Sequence, residues 1–458
     1  MKVFESSILV VLIVDLLATT GDLTLSWTSP IYPKLYSNST AINPLSRKIT
    51  RNEDAWLGSL LNFGAIIGPI PFGYISQCYG RKIGLLAIAV PHIMSFFIFA
   101  FAESIQLFYV ARFIGGVALG GGYCLYVIYI AEIAKDSNRG KMSLTISIFC
   151  AIGNFLPFVI GPFTSIFVFN VSLVCIPITF LILFSLVAPE SPYYLVGVKK
   201  DKEAEKSLMY LRSTDRNGVA EELNYIKSFV RMDDQGRLSD IFKNKTLRKS
   251  FLICLILIAS QDLSGFCAIT YHLQTIFEAT GTILQPEFSA IIVGVAMLIS
   301  SFIAPCVVDK VGRKPLILIS CIGMFIALNL LAAFFYLHDR HISTKSIYWL
   351  PILSLMLYIV FFNVGICTVP WVLMSELFPN NMKQMTTAIA GSFGWITSFI
   401  VTKSFHDMNS TIGRCGTFWF FSSMCLMCAL VSALYLPETK GKSFSQIQKM
   451  LSASTEIS

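Results

Sequence analysis

Residues 166–188 read IFVFNVSLVCIPITFLILFSLVA, and this stretch contains no charged side chain. A helix of this length rises about 1.5 Å per residue and therefore crosses the roughly 30 Å hydrocarbon core of a bilayer. Because apolar residues continue around the whole helix and leave no polar face, the stretch predicts a transmembrane helix rather than a surface helix of a soluble protein.

Similar apolar blocks recur along the chain, and 55% of its 458 residues are hydrophobic while only 14% are charged. A soluble domain has about a quarter of its residues charged. We predict twelve spans, at 6–29, 55–77, 83–102, 106–131, 142–163, 166–188, 250–272, 286–309, 316–337, 347–375, 384–402 and 416–437. The first resembles a signal peptide, but Asp15 interrupts it and no small-residue cleavage site follows, so we interpret it as a membrane helix. The tenth is too long for one straight helix, and Pro370 is expected to break it.

The distribution of basic residues predicts the orientation of the spans. If both termini are cytoplasmic, most of the 35 lysines and arginines lie in cytoplasmic segments. Short loops follow the same trend, with Arg81 and Lys82 in one and Lys310, Arg313 and Lys314 in another. The net charge of +8 is thereby explained without a nucleic-acid partner. We predict a multi-pass protein of the cell membrane, in contact with the lipid bilayer.

Glycosylation sequons give a second test of this orientation. Asn38, Asn170 and Asn409 each begin an Asn-x-Ser/Thr sequon on the predicted outer side, whereas the sequon at Asn244 lies on the predicted inner side. We predict Asn38 and Asn409 as glycosylation sites, with Asn170 too close to the membrane.

The chain divides into two six-helix halves joined by a polar stretch. We predict an N-terminal half at 1–188, a cytoplasmic linker at 189–249, a C-terminal half at 250–437 and a cytoplasmic tail at 438–458. Within the linker, DKEAEKSLMYLR and VAEELNYIKSFVR have one apolar face at helical spacing and predict short amphipathic helices.

Three sequence pairs show that the halves are repeats of each other. GYISQCYGRK at 73–82 matches PCVVDKVGRK at 305–314, 232 positions later. Two further pairs follow in the same order with similar offsets: AEIAKDSNRG at 131–140 with SELFPNNMKQ at 375–384, and PESPYY at 189–194 with PETKGK at 437–442. Parallel six-helix repeats with a site near the bilayer midplane are a transporter architecture.

These motifs, with a few others, resemble the sugar porter family of the major facilitator superfamily over nearly the whole chain. The further motifs are RFIGG at 112–116, QDLSG at 261–265, VPW at 369–371, SELFP at 375–379 and PETKG at 437–441. WTSP at 27–30 is most similar to the insect facilitated trehalose transporter group. The resemblance implies an all-α fold of twelve transmembrane helices in two six-helix repeats, and transport by alternating access.

The resemblance also assigns a gate to charged residues at the cytoplasmic helix ends. These gating residues are Arg81, Lys82, Glu132, Arg139, Glu190, Asp309, Arg313, Lys314, Glu376 and Glu438. Taken alone, the basic residues among them are equally explained as positive-inside anchors. The chain departs from the family pattern at Gln77-Cys78, where Asp-Arg is usual, and at Lys383-Gln384, where Arg-Gly is usual. Arg112, inside the fourth span, must pair or snorkel, and Glu132 and a nearby backbone carbonyl are its candidate partners.

A sugar site needs amide groups that both donate and accept hydrogen bonds, together with a flat aromatic ring. The resemblance places such a site at the substrate-binding candidates Gln261, Asp262, Trp371, Trp395, Ser147 and Asn363. Several of the family's polar ligands are replaced, by Asp262 and Cys267 in the seventh span and by Met297 in the eighth. The alternative roles are helix packing for the tryptophans and an interhelical hydrogen bond for Gln261.

Three readings of function remain open from the sequence. The first is a facilitative carrier for trehalose, glucose or a related hexose or polyol. The second is a proton-coupled symporter, with Asp22 as the possible coupling residue, because acids inside spans are functional candidates. The third is a non-transporting sugar sensor or receptor on the same fold. No GxxxxGK[ST] motif or nucleophile–base set occurs in the sequence, and neither a CxxC pair nor a histidine cluster suggests a metal site, so we predict no catalytic residues, cofactor or metal, and a monomer as the working form.

Overall fold

A computed structural model describes residues 6–135, 138–231, 238–281, 284–442, 446, 447 and 450. Every regular element in these residues is helical. The helices up to the end of the central linker are α1 (Ser6–Ser26), α2 (Thr28–Leu35), α3 (Arg51–Ile67), α4 (Pro69–Tyr79), α5 (Arg81–Ala100), α6 (Ile105–Ile133), α7 (Arg139–Ile160), α8 (Ile166–Val187), α9 (Pro192–Gly197), α10 (Asp201–Arg212), α11 (Arg216–Arg231) and α12 (Leu238–Lys243). The helices after it are α13 (Lys245–Leu263), α14 (Phe266–Tyr271), α15 (Leu273–Thr280), α16 (Pro286–Val311), α17 (Arg313–Asp339), α18 (Leu350–Phe361), α19 (Val369–Leu377), α20 (Asn380–Thr411) and α21 (Gly413–Tyr435).

Eleven helical stretches in the described residues are long and apolar enough to cross a membrane. They are Ser6–Leu35, Arg51–Tyr79, Arg81–Ala100, Ile105–Ile133, Ile166–Val187, Lys245–Tyr271, Pro286–Ala304, Arg313–Asp339, Lys345–Met374, Met385–Thr411 and Gly413–Tyr435. The apolar part of α7, Thr145–Ile160, is shorter and corresponds to the remaining predicted span, the fifth. The predicted all-α membrane fold with twelve spans is therefore confirmed.

Several spans are interrupted, and the tenth shows how the chain accommodates this. After α18 ends at Phe361, residues Phe362–Ile366 form a π-helical turn. The Ser320 hydroxyl donates to the Phe361 carbonyl at 2.7 Å and accepts from the Ile366 N–H at 3.1 Å. The Ser320 hydroxyl thus provides hydrogen-bond partners for backbone groups that lack their usual helical partners in the wider turn. The interruption begins before Pro370, which occupies the first turn of α19, where its missing N–H costs nothing.

The chain forms two compact units. One comprises Met1–Trp27, Asn38–Ser46 and Leu60–Asp234, and the other comprises Thr28–Ser37, Arg47–Ser59 and Gln235–Ser458. The first unit has a core of fully buried apolar side chains contributed by α1, α5, α6 and α8, including Val14, Leu17, Leu85, Tyr129 and Phe180. The second unit thus includes residues 28–37 and 47–59, which precede the rest of it in the sequence.

The central linker folds into short helices with their own apolar cluster. α10 covers Asp201–Arg212, the first stretch with amphipathic spacing, and its buried face includes Ala204 and Leu208. Arg212 links this cluster to the membrane helices of its unit. Its guanidinium bonds Glu222 at 2.6 Å and donates to the carbonyl of Ile133, at the end of α6, at 2.8 Å. The arginine therefore fixes α10 to both α11 and α6.

Candidate functional site

The GRK motif of the first half lies at the junction of α4 and α5. Gly80 has φ +110°, a backbone conformation that is disfavoured for residues other than glycine. The chain turns there, so α5 begins at Arg81 with free backbone N–H groups. The Glu190 carboxylate accepts from the N–H groups of Arg81 at 2.9 Å and Lys82 at 3.2 Å. A carboxylate at a helix N-terminus is also favoured by the helix dipole.

The Arg81 side chain extends from this turn to a second carboxylate. Its Nε and Nη2 atoms lie 3.2 Å from Oε2 and Oε1 of Glu132, respectively. Ser191, next to Glu190, donates its hydroxyl to Glu132 as well. We call Arg81, Glu132, Glu190 and Ser191 the first charge cluster.

The second half contains the same arrangement, which we call the second charge cluster. It consists of Arg313, Glu376, Glu438 and Thr439. Arg313 bonds Glu376 through Nη2 at 2.9 Å and Nε at 3.1 Å. The Glu438 carboxylate accepts from the backbone N–H of Arg313 at 3.1 Å, and the Thr439 hydroxyl donates to Glu376 at 2.5 Å. The internal repeat seen in the sequence is therefore reproduced bond by bond.

Glu190 of the first charge cluster and Glu438 of the second have carboxylates whose pKa values shift in opposite directions. Burial raises the pKa of Glu190, and the backbone N–H groups of Ser191, Lys82 and Arg81 offset this only in part. Burial also acts to raise the pKa of Glu438, but backbone N–H donors outweigh it and the pKa is lowered. The ionised form of Glu438 in the second cluster is therefore more strongly stabilised than the ionised form of Glu190 in the first.

The other predicted gating residues take different positions. The Lys82 and Lys314 ammonium groups donate to the carbonyls of Ser185 at 2.9 Å and Ala433 at 2.7 Å. Both carbonyls lie in the last turn of a helix, where cations are favoured. Arg139 begins α7 and Asp309 lies in α16, but their side chains are outside the described part of the structure.

Arg112 is completely buried inside α6. Its Nη1 donates to the backbone carbonyl of Thr24, and its guanidinium carbon lies 5.9 Å from the centre of the Trp27 ring. Of the two partners considered from the sequence, the structure thus shows a backbone carbonyl. Glu132 bonds Arg81 instead.

The QDLSG segment lies where the seventh span is broken. α13 ends at Leu263, and Gly265 has φ +89° before α14 begins at Phe266. The Tyr358 hydroxyl lies 3.1 Å from the Ser264 hydroxyl and supports the break. Broken helices expose backbone groups and end-of-helix side chains to a substrate cavity in transporters. Gln261 and Asp262, in the last turn of α13, are half-buried.

Two of the substrate-binding candidates converge on one stretch of α20. A Cβ atom at Gly394 would lie 3.5 Å from Oδ2 of Asp262, and one at Gly391 would lie 3.7 Å from the Trp371 ring. Trp395 follows directly and is half-buried. Trp371 is 40% exposed, which leaves much of its ring free for contact. The geometry therefore brings Asp262, Trp371 and Trp395 to neighbouring positions within the second unit.

The remaining candidates lie apart from this group. Asn363 is buried in the π-helical turn and donates to the Ser300 hydroxyl at 2.8 Å and the Met297 carbonyl at 3.2 Å. Its amide N–H groups are thereby directed to α16. Ser147 belongs to the first unit and is exposed on α7. Cys267 and Met297, which replace polar ligands of the family, are both buried.

The acids of the first span are buried. Asp15 is fully covered and Asp22 is 1% exposed. The Tyr123 hydroxyl of α6 donates to Asp22 Oδ1 at 2.8 Å. Asp22 is thus a partnered carboxyl group in the interior of the first unit.

The predicted glycosylation sites differ in access. Asn38 is exposed in the loop after α2. Asn409 lies inside α20 and its Oδ1 atom is buried. Asn170 is completely buried and accepts from the Trp27 indole at 2.8 Å, which blocks modification of its sequon.

The structure also shows a polar cluster that sequence reasoning missed. Asp54, His272 and His406 bring ligand atoms to within 4.8 Å of one another in the second unit. The three residues are far apart in the sequence, so no local motif marks them. The hydroxyl partners Ser191 and Thr439 were also missed. The sequence did contain a signal for these two residues, because Ser191 and Thr439 each follow the glutamate of a repeated Pro-Glu motif.

Twelve spans, matching charge clusters at the ends of corresponding helices and a broken seventh span define a membrane carrier of the major facilitator fold. The chain belongs to the family described as "Sugar (and other) transporter", whose model matches residues 32–451. Its relatives are transporters rather than enzymes.

Two curated insect proteins illustrate the relationship. The facilitated trehalose transporter Tret1 of Culex quinquefasciatus is 33% identical over 412 residues, covering 89% of this chain and 79% of that protein. The facilitated trehalose transporter Tret1 of Bombyx mori is 32% identical over 410 residues, covering 88% and 80%. Among solved structures, the inward open xylose transporter XylE from E. coli has a TM-score of 0.78 and 25% identity, covering 96% of this chain and 99% of that one.

Proposed function

We propose that this sugar-transporter family member is a facilitative carrier for trehalose, glucose or a related hexose or polyol, working in the cell membrane by alternating access. The observation that carries the proposal is the match to facilitated trehalose transporters over 89% of the chain. In the proposed orientation both termini and both charge clusters face the cytoplasm, and Asn38 faces outside. The protein acts as a monomer.

The substrate site we propose lies at the broken end of α13. Gln261 offers an amide that donates to and accepts from sugar hydroxyls, and Trp371 offers a flat apolar surface for a ring face. Asp262 and Trp395 complete the wall from the second unit, and Ser147 and Asn363 are weaker candidates. The buried Cys267 and Met297 leave fewer direct hydrogen bonds, which favours a substrate held partly through its apolar faces.

The test is countertransport of radiolabelled sugars in vesicles containing the purified chain. A carrier shows saturable uptake that is accelerated by sugar on the opposite side. Gln261→Ala should raise the KM about tenfold, because losing one or two hydrogen bonds costs about 0.5–1.5 kcal/mol each. Leu263→Ala, two positions away on the same helix, is the matched control. Binding without flux would identify a sensor and overturn the proposal.

A second candidate, proton-coupled transport, is favoured by Asp22. This carboxyl is buried and bonded to Tyr123, and another similar structure is a proton:xylose symporter, 25% identical with a TM-score of 0.74. If coupling operates, a proton gradient drives accumulation in the wild type, and Asp22→Asn abolishes it while leaving exchange intact. Uptake that is unchanged between acidic and neutral external pH would establish simple facilitation.

A further inference from the structure

We propose that Asp54, His272 and His406 bind one divalent transition-metal ion, with Zn²⁺ as the probe, at the end of the second unit away from its charge cluster. Oδ1 of Asp54 lies 3.0 Å from Nε2 of His272, and Oδ2 lies 2.8 Å from Nε2 of His406. α20 begins beside the second charge cluster and has 32 residues, with His406 near its far end. At about 1.5 Å per residue, that helix separates the two sites by most of a membrane thickness.

The bonding of His272 requires positive charge beside its Nε2 atom. Its Nδ1 lies 3.0 Å from the Ala268 carbonyl, which can only accept, so Nδ1 carries the hydrogen. In a neutral ring the Nε2 lone pair would then face the Asp54 carboxylate at 3.0 Å, placing two acceptors against each other. Either a second proton or a metal ion removes this conflict.

The position of His406 favours the metal ion. Its Nε2 is at contact distance from the Asp54 carboxylate but has no hydrogen-bond geometry to any partner in the described residues. If protons alone held the cluster, the second ring would be expected to direct an N–H at the carboxylate. The His272 and His406 rings are nearly perpendicular, at 83° with centres 5.2 Å apart. Their Nε2 atoms nevertheless both lie against one carboxylate, as ligands of a shared ion do.

The surroundings supply the supporting bonds that metal ligands need. A metal-binding histidine usually donates its other N–H to a carbonyl or carboxylate, and Ala268 fills this role for His272. The Tyr36 hydroxyl donates to Asp54 Oδ2 at 2.7 Å, and the Tyr32 ring stacks on His272 with centres 4.7 Å apart. These contacts fix the orientation of the carboxylate and of one imidazole before an ion arrives.

The donor set and the spacing select the type of ion. One carboxylate oxygen and two imidazole nitrogens suit Zn²⁺ and related ions, whereas Ca²⁺ and Mg²⁺ prefer oxygen ligands throughout. Tetrahedral ligands at about 2.0–2.1 Å from zinc lie about 3.3 Å from one another. The two contacts to Asp54, at 3.0 and 2.8 Å, are made by different oxygens of its carboxylate, and the three ligand atoms lie within 4.8 Å of one another. Side-chain rotations bring them to this spacing when an ion binds. The Asp54 and His272 side chains are 1% and 3% exposed, whereas His406 is 19% exposed, so the His406 ring is the part of the cluster nearest to solvent.

The test is titration of the chelator-treated, full-length chain with Zn²⁺ alone, followed by calorimetry and thermal unfolding. The wild type should bind one ion and unfold at a higher temperature when loaded. Asp54→Asn and His272→Gln should weaken binding at least a hundredfold, and Tyr36→Phe about tenfold to a hundredfold. His338→Gln, at a histidine outside the cluster, should leave binding unchanged. X-ray absorption should report two imidazole ligands.

Two outcomes would overturn the proposal. One is wild-type Zn²⁺ affinity in the cluster variants. The other is a melting temperature that responds to pH but not to Zn²⁺, which identifies a proton-bonded cluster instead. If Asp54→Asn fails to fold, His406→Ala keeps the test valid because that ring is partly exposed. Binding does not depend on the proposed transport function. Loss of sugar uptake with retained Zn²⁺ binding would refute only the carrier.

Discussion

Removing the Arg313–Glu376 pair should release α19 from α17 at the second charge cluster. α19 follows the π-helical turn Phe362–Ile366, so its attachment at this end opposes bending at the turn. We expect Arg313→Ala and Glu376→Gln to shift the protein toward the state in which this end of the second unit is open.

The magnitude follows from the geometry of the pair. Arg313 donates to Glu376 at 2.9 and 3.1 Å, and the two side chains are 12% and 23% exposed. Hydrogen bonds to charged groups contribute about 1.5–3 kcal/mol when buried, whereas exposed ion pairs contribute about 0–1 kcal/mol. A partly covered pair should contribute about 2 kcal/mol, equivalent to about a thirtyfold change in population.

The assay is the rate at which a maleimide labels Met374→Cys in α19, in a background lacking the exposed cysteines Cys78, Cys175 and Cys306. Met374 is 1% exposed, so its labelling reports opening. Both variants should accelerate labelling about thirtyfold. Arg313→Lys should give an intermediate rate, because lysine keeps the charge but not the two-pronged contact.

The control is Lys200→Ala, which removes an exposed pair in the linker and should leave the rate unchanged. The double variant Arg313→Ala/Glu376→Gln should be no faster than either single variant, because both remove the same interaction. Additive effects, or less than a threefold change in folded protein, would refute the reasoning.

Four further predictions concern the charged residues. Glu438→Gln should lower the melting temperature at neutral pH. The pKa of Glu438 is lowered below its ordinary value of 4.5, and only the ionised carboxylate stabilises the fold, so the difference between variant and wild type should vanish as pH falls through that pKa. Glu190→Gln should show the opposite trend, because the raised pKa of Glu190 means that ionising this carboxyl costs stability in the folded state. The variant should therefore gain stability relative to the wild type as pH rises above about 4.5. Melting curves recorded over a range of pH test the predictions for Glu438 and Glu190. Arg212→Ala should expose the linker helices to limited proteolysis, because it removes the bonds to Glu222 and to α6. Arg112→Ala should reduce the unfolding free energy by about 1–3 kcal/mol, since it strands a buried carbonyl, as measured by denaturant titration.

The fold was predictable because its signals are local and repeated. Within lipid, a helix satisfies every backbone group inside its own segment, and uncharged blocks such as 166–188 have the length of a membrane-spanning helix. The GRK and PE motifs recur in register. The breaks in the helices were harder to predict. The π-helical turn depends on Ser320, a residue of another helix, and no property of residues 362–366 alone specifies it.

The candidate site was less predictable for a related reason. Family patterns identified Asp262, Trp371 and Trp395, which the fold brings near one stretch of α20. The same patterns gave no indication that Asn363 donates its amide hydrogens to α16. Asp54 lies in α3, His272 in the turn between α14 and α15, and His406 in α20, and a cluster assembled by tertiary structure leaves no spacing in the sequence.

The π-helical turn also lets the tenth span hold one residue more than a continuous α-helix would need. A π-turn uses one residue more than an α-turn to complete the same rotation, whereas a residue added to or removed from an α-helix turns everything after it by about 100°. Deleting Val364, which is half-buried, should therefore restore α-helical winding and leave α19 facing nearly the same direction. Trp371 should stay beside Gly391 and Glu376 beside Arg313. Deleting a residue of α18 instead would keep the wide turn and rotate both side chains away from their partners, so the turn is a point at which this span can change its length without misaligning either contact.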